Sequence, residues 1–89
     1  MARTLLKGDE INLPTSAGAG VSFSEATVVR LVNTNAAARI ITVQETRSGT
    51  GVGSFTMPAG SVEYLEKAAA HTVFASDTGV RGAKVGFTG

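Results

Sequence analysis

A few side chains have types and spacings that could do chemistry. GTGVGS, Gly49 to Ser54, has the glycine density of a phosphate-binding loop. Such loops join a strand to a helix and carry Lys-Ser/Thr or the full dinucleotide spacing, because backbone amides must converge on the phosphate. Here the stretch leads into a strand pattern and no lysine follows, so it reads as the mobile tip of a long hairpin. His71 is the single histidine, and a histidine-rich metal site or His-based triad needs partners beyond it. Glu63, Glu66 and Asp77 do not stand at a spacing that completes one. Asp9 with Glu10 and Glu63 with Glu66 are the closest acidic pairs. On a strand, Glu63 and Glu66 point to opposite faces, which does not suit paired general acid and base work. One tyrosine and four phenylalanines, without tryptophan, are too scattered for a platform that stacks sugars or single strands. The expectation is a noncatalytic chain with no cofactor and no metal. Phe23, Phe55, Phe74 and Phe87 are then core residues. Arg30, Arg39, Arg47, Lys67, Arg81 and Lys84 are surface or interface charges.

The elements that would position these residues are strands. Thr27 to Asn33 and Arg39 to Glu45 are rich in β-branched residues and free of Gly and Pro, which favours half-buried strands. Val29 and Leu31 share one face of the first, and Ile41 and Val43 share one face of the second. Joined by TNAAA, this pair is the expected middle of the fold. Before it, Arg3 to Leu6 and Glu10 to Leu13 flank the turn composition of Lys7 to Asp9, as a hairpin or one bent edge strand, with Pro14 marking a peripheral position. TSAGAG, Thr15 to Gly20, reads as a flexible loop, and Val21 with Phe23 as a short strand or an apolar plug. After the pair, Val52 to Met57 forms a strand and Pro58 to Gly60 a tight turn. Ser61 to Lys67 follows as the second arm of a hairpin. It alternates as a strand but also has helical propensity, and strand is favoured because a short isolated helix is marginal. Thr72 to Ala75 is a brief strand. The last, Ala83 to Phe87, is expected to turn Ala83, Val85 and Phe87 inward. Strands recurring about every ten residues predict an all-β fold, a small antiparallel β-sandwich or partly open barrel of about six to eight short strands. One domain spans 1–89, with 1–13 a possible arm or edge hairpin.

Eighty-nine residues without cysteine give one modest core and no disulfide staple, which leaves association as the way to bury more surface. Eight basic and seven acidic residues, spread without blocks, provide no field to steer the chain toward nucleic acid or an anionic membrane. MARTLLKGDE breaks at Lys7, Gly8 and Asp9, far short of a signal-peptide apolar core, so synthesis in the cytoplasm is expected.

VVRLVNTNAAARIITV, then VGSFTMPAGSVEYLEKAAAHTVFAS, then VRGAKVGFTG, and more loosely RTLLKGDEINL, resemble small virion structural proteins of tailed bacteriophages of marine and cyanobacterial hosts. PAGSVEYLEKAAAHTVFA with the closing KVGFTG is the most specific part; Ala68 to His71 departs from the relatives' pattern. The resemblance implies a noncatalytic capsid decoration or cement protein on the outside of the phage head. Its partners would be the major capsid protein or other virion subunits, with self-association as a trimer. Arg3, Leu5, Leu6, Ile11 and Leu13 of the arm and Arg47, Ser48, Thr50 and Val52 of the glycine hairpin are the candidate assembly contacts. A neck or tail component and a small adhesion or carbohydrate-binding β-sandwich are the alternatives.

Overall fold

The computed structural model describes residues 3–88; Met1, Ala2 and Gly89, part of the expected arm and closing motif, lie outside them. The fold is all-β. Its strands are β1 (Arg3–Leu6), β2 (Ile11–Asn12), β3 (Val28–Asn33), β4 (Arg39–Gln44), β5 (Gly51–Met57), β6 (Val62–Glu66), β7 (Thr72–Ala75) and β8 (Val80–Thr88). They build two antiparallel sheets that do not close into a barrel. A five-stranded sheet runs β1-β8-β3-β6, with β2 also on β8, and a three-stranded sheet runs β5-β4-β7. Val29 and Leu31 from one sheet meet Ile41, Val43, Val73 and Ala75 from the other, with Phe23, Met57 and Val80 completing the core.

The faces of the central runs are as the alternation predicts, but β3 and β4 do not pair with each other. β3 lies between β8 and β6, and β4 between β5 and β7, so TNAAA carries the chain from one sheet to the other. Asn33 holds that corner. Fully buried, its Nδ2 donates to the carbonyls of Ala37 and Met57 at 3.0 Å and of Pro58 at 3.3 Å, while its Oδ1 accepts from the Asn35 amide. The Pro58–Gly60 turn is a second crossing between sheets, not a hairpin. Gly60, at φ 74°, donates its amide to the Asn33 carbonyl, and the Asn33 amide donates to Ser61. β6 is nevertheless a strand, because β3 supplies its ladder.

β1 and β2 are one bent edge strand, since both pair with β8 across the break at Lys7–Glu10. Leu13 beyond them is buried in the core, which removes it from the assembly contacts. TSAGAG is anchored, not free. Ala17–Ala19 forms a 3-10 turn whose Ala17 carbonyl accepts from Gln44 Nε2 and from the Ser48 amide, while the Gly20 carbonyl accepts from Arg47 Nε. The glycine hairpin is therefore tied down at its tip, and β5 already begins at Gly51. Phe23 is the apolar plug. A left-handed turn through Phe23, Ser24 and Glu25, at φ 57°, 55° and 57°, sets its ring against Gly82, where a Cβ would meet Phe23 Cζ at 2.7 Å.

Two further expectations are corrected. Ala83, Val85 and Phe87 do not face the core. Through Arg30↔Ala83 and Arg30↔Tyr64 they share the outer face of the five-stranded sheet, and the inward positions of β8 are Val80 and Gly82. Lys67 is not a surface charge. It is buried, and its Nζ donates to the carbonyls of Ala26 at 2.7 Å, Ala69 at 3.2 Å and Ala68 at 3.3 Å. Burial lowers its pKa, with the Glu25 charge opposing that shift and Lys84 adding to it.

Candidate functional site

The outer face of the five-stranded sheet is where the strand register gathers exposed apolar side chains. Cross-strand partners share a face, so Leu6 on β1, Val85 and Phe87 on β8, Arg30 and Val32 on β3, and Val62 and Tyr64 on β6 all point away from the core. Leu6 is 69% exposed, Tyr64 46% and Phe87 48%, whereas Ala83 and Val85 form a buried floor. β1 and β6 stand three strand spacings apart, roughly 14 Å on a flat sheet. Yet the Thr4 hydroxyl donates to the Tyr64 phenol oxygen at 3.3 Å, so the sheet coils over this face. The cause is local: β3 pairs only with Val80–Lys84, leaving β1 and the end of β8 as a two-stranded ribbon, and such ribbons twist most.

Tyr64 and Phe87 meet on that concave surface with ring centroids 5.3 Å apart and planes tilted by 60°. The tilt brings the edge of one ring toward the face of the other, a favourable quadrupole arrangement. It does not present the flat surface on which a sugar ring would stack. The Thr4 hydrogen bond lowers the Tyr64 pKa; burial opposes that shift and the nearby Arg30 charge adds to it. Beside the aromatic pair, Glu10 bridges two arginines, its Oε2 lying 3.8 Å from Arg30 Nη1 and its Oε1 3.5 Å from Arg81 Nη1.

Of the expected contacts, Arg3, Leu5 and Leu6 are exposed on β1, and Ile11 is partly exposed on β2. Arg47, Ser48, Thr50 and Val52 are exposed on the hairpin of the other sheet, so the two sets belong to different sheets. Backbone duties occupy part of the hairpin: the Thr50 carbonyl accepts from the Glu45 amide, and Ser48 sits at φ 55°. Tyr64 and Phe87, missed as contacts, lie 23 positions apart in the chain, and only the register through β3 brings them together.

Glu63 and Glu66 are on opposite faces, opposite Leu31 and Val28. His71 follows a turn closed by its amide on the Ala68 carbonyl, and no group of His, Cys, Asp and Glu among the described residues could hold a metal ion. An apolar groove of about 360 Å³ runs between the β5 and β6 edges, lined by Val43, Val52, Phe55, Leu65 and His71 among others. No described helix is long and apolar enough to cross a membrane. Comparison with known proteins adds no identity: no family model, no curated protein and no solved structure matches this chain.

Proposed function

We propose that the protein is a noncatalytic structural subunit of a tailed-phage virion, a decoration or cement protein that binds the outside of the head through the outer face of its five-stranded sheet. The observation that carries this reading is that face itself. Leu6, Val62, Tyr64 and Phe87 lie exposed around a buried floor of Ala83 and Val85, with Arg30 between Ala83 and Tyr64 and Arg81 beside them. Aromatic anchors with arginine beside them are the composition of interface hot spots. A small core without disulfides gains stability from such contacts, and many copies on a lattice multiply modest ones. Virion subunits, the major capsid protein first among them, are the partners in this reading, and the virion is its location. The sequence resemblance supplies the phage context, and the face supplies the means of binding.

The test is co-sedimentation of the purified chain with heads that lack it. Saturable binding at a fixed ratio per lattice unit is expected, and Tyr64→Asp should weaken it by about a hundredfold, the cost of burying a charge among apolar groups. Unchanged thermal unfolding of that variant shows that the fold is intact. Full binding by Tyr64→Asp, or none by the native chain, overturns the reading. Glycan-array binding lost in Tyr64→Ala would favour the adhesion alternative instead.

A further inference from the structure

We infer that the two free edges of the five-stranded sheet are complementary, so that β1 of one copy adds to β6 of the next. Among the described residues, β1 has only β8 beside it and β6 only β3, so each has an open backbone edge. The strand directions fit. β1 is antiparallel to β8, β8 to β3 and β3 to β6, so a second copy's β1 laid against β6 continues the sheet antiparallel.

The faces then restrict the register. Leu6 shares the outer face with Val85 and Tyr64, whereas Leu5 shares the inner face with Gly86, Gly82, Leu31, Val29 and Leu65. Only shifts of two residues keep outer with outer and inner with inner. One of these places Leu6 opposite Tyr64, Leu5 opposite Leu65, Thr4 opposite Glu66 and Lys7 opposite Glu63. Arg3 falls at the end, opposite Lys67, whose ammonium is already turned into three carbonyls. Shifting one way puts Leu5 against Glu63; shifting the other puts Leu6 against Glu66. Each buries an apolar side chain against a charge. The favoured register sets apolar against apolar and a lysine against a glutamate, which selects the partner as well as the alignment.

β5, the other long open edge, lacks this specificity. Its GVGSFTM carries no charge, and the register shift at Val43/Gln44 leaves a bulge at Val52 that twists the strand out of line, a common way of blunting an edge. The β1–β6 contact joins unlike edges, so copies associate head to tail into an oligomer. Its outer faces become continuous across each joint.

The pairing does not depend on the virion reading, because it is measured on the purified chain alone. Light scattering over a concentration series should give an oligomer whose mass falls to the monomer on dilution. Lys7→Glu should weaken association about tenfold, and Lys7→Glu with Glu63→Lys should restore it. Lys7→Cys combined with Glu63→Cys should give a ladder of oxidised multimers, which neither substitution gives alone. A native chain that stays monomeric at every concentration overturns the inference. So does an oligomer indifferent to Lys7→Glu, or one that the reciprocal exchange fails to rescue.

Discussion

Asn33 and Lys67 hold places where the chain changes sheet, Asn33 at the ends of β3 and β5 and Lys67 after β6. Both satisfy clusters of carbonyls that the change of sheet leaves without ladder partners. Asn33→Asp keeps the shape but replaces a donor with a carboxylate facing the Ala37, Met57 and Pro58 carbonyls. Denaturant unfolding should show a loss of about 3 kcal/mol or more. Lys67 gives a pH prediction. Its folded pKa lies below the ordinary lysine value, so the unfolded chain binds the proton more strongly. The desolvation penalty is present in full below the folded pKa and disappears as pH rises toward the unfolded value of about 10.4. The stability of the native chain relative to Lys67→Met should therefore rise from pH 8 to pH 10.5. A fall over that interval, measured by urea unfolding, would mean that the three hydrogen bonds outweigh burial. Neither role was legible in the sequence. Nothing in SVEYLEK distinguishes a lysine that reaches three carbonyls from one in water.

The strand positions were legible because period-two alternation and turn residues mark them locally: Thr72–Ala75 is β7 residue for residue. Partners were not, because a short turn between two strands reads alike whether it makes a hairpin or crosses a sandwich. TNAAA and Pro58–Gly60 both read as links between neighbours, and both cross. The left-handed turn at Phe23–Glu25 had no sequence mark either, since residues there are not glycine. It holds Phe23 over Gly82, and the backbone conformation is unfavourable for side chains with a Cβ. Glu25→Gly should relieve part of that strain and stabilise the fold by about 0.5 kcal/mol, seen as a raised urea midpoint at unchanged slope. Gly82→Val should do the reverse more strongly, losing about 3 kcal/mol as the added side chain meets the Phe23 and Leu31 side chains.

At the scale of the molecule, the sandwich divides its apolar residues between an inner core and an outer face, and that division was hidden in the sequence. Ala83, Val85 and Phe87 alternate as core residues would, but period two says only that they share a face, not which face. The β8 register decides: Gly82 against Leu31 is the interior, so Ala83 against Arg30 is the exterior. The candidate surface thus became visible only when Tyr64 and Phe87, in strands separated by β3, were seen to meet. The measurement that tests the central claim most directly is hydroxyl-radical footprinting of the chain free in solution and bound to heads. Oxidation of Tyr64, Phe87 and Leu6 should fall severalfold on binding, while Val52 and the Arg47–Thr50 hairpin remain as reactive as before. Protection confined to the hairpin, with Tyr64 and Phe87 unchanged, would contradict the assignment of the outer face as the docking surface.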